Sequence, residues 1–459
     1  MKHPRPWALL AALLALLASF VSTAGAAGAP PTSEAASPEM QKLAAEAATE
    51  VEALRGWKFK APVATKMCSP EDVRAYLDRE IDKQYPPEKV AQVQAFLRTV
   101  GLLPPGCDLR KTFLDIMQNQ VGGFYDTDTK TLYMVKRGEA KMLPIVERSM
   151  LAHELTHALD DQYIDLDKFV KSRIGQSEDM DLVTEALIEG SATSLMSQYM
   201  VRAQFSGKYN IAELQQYALE EMERSKPLLE APRYFSAMLG AYLVGTAFLA
   251  RGEMLSLMLA PDNKTVGERF LAAVKDPPRS SEQILHPEKY WDAATRDGPV
   301  IVSDDDVAKT LARPGRFIVH KDTIGEMLCA VLTTPKDAKV DILAMNLSTY
   351  WTNPAATGWG GDRFFLLASG SSADDAGKTL KDLRAVWITL WDTPKDRDEF
   401  VEAYEQLGPA GRTTFKYGNQ GAVFFFGFDE AERKAVQAAL EKSPPKMTRN
   451  GKPWTPWAP

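Results

Sequence analysis

The stretch LAHELTHALDD, residues 151–161, limits what this chain can fold into more than any other segment. His153 and His157 are four residues apart, about 400° of helical rotation, so on an α-helix they leave nearly the same face one turn apart. Leu151, Ala152, Leu155, Thr156, Ala158 and Leu159 around them carry no charge. A helix of that kind suits a buried cleft wall, where two imidazoles and a carboxylate need partners. H-E-x-x-H is also a metal-site spacing. Two imidazole nitrogens can aim at one zinc ion, which keeps an open position for water when three protein ligands hold it. Glu154, one residue round from His153, can reach that water as a general base without being a ligand.

A third donor is expected from DLVTEALIEGSATSLMSQYM, which reads as a second amphipathic helix. Glu185 and Glu189 stand four apart on one face of it, among Leu, Ile, Ala, Ser and Thr. Carboxylates in such surroundings call for a positive partner, and a zinc ion with its imidazoles would be one.

HELTH followed downstream by a glutamate on a second helix is similar to the gluzincin branch of zinc metallopeptidases, and Glu189-Gly190-Ser191-Ala192 resembles the E-G-x-A segment of MA-like peptidases. The resemblance implies Glu189 as the third ligand with Glu185 in reserve. The alternative arrangement has Glu185 ligating and Glu189 orienting a histidine. Asp161 matches a position that in thermolysin-like sequences accepts the free N–H of a ligand imidazole. Gluzincins also use a histidine or tyrosine on the tetrahedral oxyanion. His286 in QILHPEKYW, with Tyr290 behind it, is the candidate. GGFYD, PPRSSEQILHPEKYW and AATGWGGDRFF resemble segments of uncharacterised bacterial MA-like proteins, so the likeness covers most of the mature chain, although only HELTH and EGSA are specific. A G-x-M-E-N segment, which binds the amine in related aminopeptidases, is absent, which favours an endopeptidase. The spacer between His157 and Glu189 is longer than in thermolysin.

The remaining sequence frames this site. MKHPRP followed by WALLAALLALLASFV and small residues has the pattern of a secretory signal peptide, cleaved after Ala26 or Ala29, so export to a periplasmic or extracellular compartment is expected. Residues 27–39 read as a flexible lead-in. Cys68, Cys107 and Cys329 are too few for a disulfide scaffold; a Cys68–Cys107 pair and three free thiols are both open. The net charge of −7 argues against nucleic acid as a partner. YFSAMLGAYLVGTAFLA, residues 234–250, is read as a buried core helix bounded by Pro232 and Gly252 rather than a membrane span.

GFYD and TLYMV around DTDTK predict a β-hairpin just before the HELTH helix, with Asp126 and Asp128 as turn residues. TLYMV is expected as an edge strand able to pair with an extended peptide. Beyond Val300, FIVHK, RFFLLAS, AVWITLWD and GAVFFFGF alternate with helical patterns. His320 in FIVHKD is expected to be structural, and Asn263 and Asn346 match glycosylation sequons.

The expected fold is therefore α+β: a mainly helical, zincin-like unit with a short hairpin (residues 40–300), a smaller C-terminal α+β domain (301–445) and an irregular Pro-rich tail (446–459). The expected function is an exported zinc-dependent peptidase acting on a peptide or protein substrate. The rival is a non-catalytic, zinc-stabilised envelope factor that binds peptides or assists assembly.

Overall fold

A computed structural model describes residues 31–136, 144–205, 230–335 and 351–457, together with Asn210, Ala212 and Leu228. The expected signal peptide (residues 1–26) and Asn346 lie outside the described residues. The chain is α+β, as expected. Three sheets are set among helices: a four-stranded one, a five-stranded one and a small three-stranded one.

Strand β1 (Glu34–Ala35) and helix α1 (Pro38–Arg55) occupy part of the supposed lead-in, which is therefore ordered from Glu34 onward. Then come β2 (Ala64–Cys68), α2 (Pro70–Gln84), α3 (Pro87–Val100) and α4 (Leu109–Gln120). Ser69 caps α2 as its sequence predicts. Its hydroxyl accepts from the Asp72 N–H, and the Asp72 carboxylate accepts from the Ser69 N–H.

The expected hairpin is present as β3 (Gly123–Asp126) and β4 (Thr131–Val135). Its turn is closed by the Asp126 carboxylate, which accepts from the Asp128 N–H at 3.0 Å and the Thr129 hydroxyl at 2.7 Å. TLYMV is not the edge, however. The sheet order is β1-β2-β4-β3, because β2 pairs in parallel with β4 from Ala64↔Thr131 to Cys68↔Val135. The end strand on the hairpin side is β3.

The helix carrying His153 and His157 is α5 (Pro144–Ile164), followed by the 28-residue α6 (Glu178–Phe205) and by α7 (Arg233–Ala250). Helix α7 packs in the core as its sequence suggests. Among the described residues no helix is long and apolar enough to cross a membrane. Helices α6 and α7 cross at backbone contact: a Cβ on Gly245 would lie 1.8 Å from the Ala186 carbonyl oxygen, and one on Gly190 2.3 Å from the Gly245 carbonyl carbon. Small residues on both helices are what permit this approach. Helix α8 (Lys264–Lys275) follows.

The C-terminal part contains β5 (Val300–Val302), β6 (Arg316–Asp322), α9 (Gly325–Leu332), β7 (Trp359–Ser369), β8 (Lys381–Trp391), α10 (Pro394–Leu407), β9 (Arg412–Tyr417), β10 (Gly421–Phe426) and α11 (Glu430–Lys442). Its main sheet runs β6-β7-β8-β10-β9, antiparallel throughout. The two-residue period of the strands sends Phe365, Leu367, Val386 and Ile388 to one face, over Val436 and Leu440 of α11. Phe364, Leu366, Trp387 and Phe424 go to the other, where they join a cluster containing Phe96, Leu97 and Val100 of α3. The rings of Phe96 and Phe364 are 4.7 Å apart, and the Tyr404 hydroxyl donates to the Val100 carbonyl at 2.8 Å. One apolar core thus crosses residue 300.

The tail is not irregular. Strands β11 (Met447–Arg449) and β12 (Lys452–Trp454) form a hairpin about Asn450-Gly451, both at positive φ, and β11 pairs with β5. Asn-Gly is the residue pair that such a two-residue turn favours. Cys68, Cys107 and Cys329 are all free thiols, so the Cys68–Cys107 bridge is not formed.

Candidate metal centre

His153, Glu154 and His157 are fully buried on α5, and Glu189 is buried on α6. Their donor atoms converge. The His153 and His157 Nε2 atoms are 2.9 Å apart, and Glu189 Oε2 is 3.1 Å from the first and 3.5 Å from the second. One ligand atom from each of His153, His157 and Glu189 lies within 4.8 Å of the others, the one such group among the described residues. Glu185, one turn earlier on α6, stays outside it, so the arrangement with Glu185 as ligand is not the one the helices make.

The electrostatics fit the same grouping. Burial lowers His153 to about 4, outweighing the hydrogen bond to Glu189. Burial acts to raise Glu189, but the charge of His157 and hydrogen bonds from both imidazoles overcome it and hold the carboxyl below its usual range. A neutral imidazole and an ionised carboxylate are the forms that ligate a metal. Two nitrogens on one tetrahedral zinc stand about 3.3 Å apart; the 2.9 Å spacing is within a small side-chain rotation of that. Among the described residues, both oxygens of Glu154 lack a hydrogen-bond partner despite complete burial. Burial, then the charge of Glu189, raises its carboxyl well above the usual value. A buried group left in this state is costly unless something absent from the chain itself completes the site. His₂Glu with an adjacent free carboxyl is a donor set suited to catalytic zinc.

Three structural devices set this geometry. First, the close α6–α7 crossing brings Tyr242, three residues before Gly245, against Glu189, three residues after Ala186. Burial, then the charge of Glu189, pushes the Tyr242 hydroxyl well up, and its ring lies 6.2 Å from that of His153. Second, Asp160, three residues after His157, is bound by Arg55 at 2.6 and 2.7 Å and by the Ser191 hydroxyl at 2.7 Å. Arg55 also reaches Ser191 and donates to Asn263 Oδ1 at 2.6 Å. This fully buried knot ties α1, α5, α6 and α8 together beside the donors. It also explains Asn263, whose burial excludes a glycan there. Third, a Cβ on Gly123 would lie 3.6 Å from Glu154 Cγ, so β3 runs directly against the candidate base.

Two expected roles are not met. Asp161 accepts from Tyr125 Oη at 2.7 Å, Lys130 Nζ at 2.7 Å and the Leu166 N–H at 3.0 Å, so it anchors the hairpin rather than an imidazole. Among the described residues the Nδ1 atoms of both histidines have no hydrogen-bond partner, so Asp161 does not hold either. His286 pairs with the buried Glu326 at 2.9 Å, and Tyr290 donates to the Asp276 carbonyl; neither joins the donor cluster. His320 is structural, as expected, bonded to Asp322 at 2.8 Å and packed on Phe96. Sequence reasoning missed Tyr242, hidden in an apolar run, and Asp160, although Asp160 stands one turn from His157.

A family model described as a domain of unknown function (DUF8575) matches residues 315–438, from β6 into α11. That span is the five-stranded sheet and contains none of the donor residues. No curated protein and no solved structure matches the chain.

Proposed function

We propose that this protein is an exported zinc-dependent peptidase, cutting within peptide chains, in which His153, His157 and Glu189 hold the metal and Glu154 is the general base. The convergence of two imidazole nitrogens and a carboxylate oxygen on two buried helices, beside the unpartnered Glu154, carries this reading. Zinc held by such donors supplies Lewis acidity and a water activated near neutral pH. Glu154 is positioned to take a proton, and its raised carboxyl needs a positive neighbour to ionise. Tyr242, beside Glu189, would supply its one hydroxyl proton to the oxygen of the carbonyl under attack, the role expected of His286. Strand β3, rather than β4, is the end strand of the sheet next to Glu154, and its four residues are buried, so an extended peptide would have to displace what covers it to pair there. Export rests on the signal-like pattern of residues 1–26. The thinly spread acidic charge and the lack of a membrane-crossing helix among the described residues favour a peptide or protein as partner over nucleic acid or membrane.

The test is zinc content per chain of the purified mature protein, wild type beside Glu189→Ala, followed by a peptide-library digest with Glu154→Gln as control. The expected result is near one zinc in the wild type, a large loss in Glu189→Ala, and cleavage abolished in Glu154→Gln with zinc retained. One zinc with no cleavage by the wild type would replace the enzyme with a zinc-stabilised peptide-binding factor.

A further inference from the structure

The α6–α7 seam does not end at the donor cluster. One turn back along it, α2, α3, α4, α6 and α7 line a half-open pocket of about 230 Å³. That is below the range of about 300–1,000 Å³ for pockets that take a whole small-molecule ligand, and closer to one long side chain. Ile81, Val90, Val93, Phe113, Leu182 and Met238 give it an apolar wall. Glu185 lines it one turn before Glu189 on α6, and Met238 one turn before Tyr242 on α7, so cavity and donor cluster are neighbours on both helices.

The acidic groups of this cavity are not equivalent. Glu178 accepts from the Tyr234 hydroxyl at 2.7 Å, and Asp181 from the Gly175 N–H at 2.7 Å. Arg110 is committed to Asp78 and Asp82, and Lys89 to His320 Nδ1 at 3.1 Å. Glu185 alone of the three acids has no hydrogen bond or ion pair with any described residue. Burial and the charges of Glu189 and Asp181 push its carboxyl well up. An unpaired carboxyl at the site end of an apolar cavity is complementary to a cation on a methylene stem.

We propose that this cavity receives the side chain of a lysine or arginine next to the peptide bond being cut, its methylenes along the apolar wall and its cation on Glu185. The inference rests on the peptidase reading for the peptide, but not for the binding of the cation.

Binding is therefore measured apart from hydrolysis. n-Butylammonium and n-butylguanidinium are titrated against the uncharged n-pentanol by NMR, on wild type, Glu185→Gln and Glu154→Gln. The expected result is binding of the cations in preference to the alcohol, weakened about tenfold or more in Glu185→Gln and retained in Glu154→Gln; the two cations together tell an ammonium from a guanidinium preference. Equal binding of the alcohol, or no effect of Glu185→Gln, overturns the proposal. Should Glu185→Gln fail to fold, Val93→Phe, which fills the cavity far from the donors, must abolish the same binding. In the library digest, cuts beside lysine or arginine in the wild type should shift toward uncharged residues in Glu185→Gln. Cation binding that depends on Glu185 without any cleavage would sink the peptidase and leave the cavity assignment standing. Cleavage with no cation preference and no cation binding would do the reverse.

Discussion

Arg55 Nη2 meets Asp160 Oδ1 at 2.6 Å with neither side chain reaching solvent. Arg55 closes the first helix, and Asp160 is one turn from His157, so the pair fixes the histidine helix against the N-terminal one. Removing one member of a buried pair leaves the other charge uncompensated, at a cost of about 3–5 kcal/mol. Asp160→Asn should lower unfolding stability by that order in denaturant titration, whereas Arg55→Met together with Asp160→Leu should lose much less. A single substitution costing under about 1 kcal/mol would show that the knot is not what holds these helices.

Chelation should destabilise the wild type. A ligand bound only to the folded state stabilises by about 4 kcal/mol at a thousand times its Kd. Tm should therefore fall with EDTA in the wild type and stay nearly fixed in Glu189→Ala and in His157→Ala. A Tm indifferent to EDTA in a protein shown to hold zinc would place the metal elsewhere.

Gly245 carries the α6–α7 crossing. A methyl group there would meet the Ala186 carbonyl at 1.8 Å, and backbone cannot yield cheaply. Gly245→Ala should cost about 1–3 kcal/mol. By moving Tyr242 off Glu189 it should also weaken zinc retention and activity more than stability alone explains. Gly106→Ala, where the added Cβ meets nothing within 4 Å and the backbone is not left-handed, is the control. A Gly245→Ala protein with normal Tm and zinc content would refute the close crossing.

Stability should fall as pH rises from about 5 to 8. Burial raises Asp362 to about 6, Asp179 and Asp181 to about 7, and Glu178 and Glu282 to about 8. Unfolded carboxyls titrate at about 3.9–4.3. Between those values and the folded ones the native state holds protons that the unfolded chain has shed, so each added pH unit favours unfolding. Carboxyls lowered in the fold, such as Asp72 and Asp115, act mainly below pH 4–5, outside this window. Measured on Glu189→Ala with EDTA present, to keep zinc out of the comparison, Tm should be higher at pH 5 than at pH 8. His153, which burial lowers to about 4, acts in the opposite sense below about pH 6.5, one group against these five carboxyls. A Tm that rises between pH 7 and 8, above that range, would mean the carboxyls are ionised in the fold.

Much of the site was legible because its spacing is local. His153, Glu154 and His157 share one helical turn, and Glu189 and Glu185 stand out as the two carboxylates in an otherwise uncharged stretch, residues 182–201. The hairpin and the strands of the C-terminal sheet followed from two-residue alternation. What escaped depends on contacts far apart in the chain. Strand β2 takes the place beside β4 through a parallel pairing across three intervening helices, and that alone turns TLYMV from edge to interior. Asp160 and Asp161 are indistinguishable until Arg55 arrives at one and Tyr125 at the other. Tyr242 reads as core until the crossing at Gly245 sets it beside Glu189. Asn450-Gly451 was a local turn signal, obscured by the prolines around it.

The shared core has a consequence for biosynthesis. The Tyr404–Val100 hydrogen bond joins residues 304 positions apart, and Phe96 beside it packs on Phe364. At about 5–20 residues per second, that interval takes about 15–60 s of translation. Throughout it the apolar side of Phe96, Leu97 and Val100 has no sheet to cover it. The nascent N-terminal half thus carries that apolar side uncovered until β7 and α10 emerge.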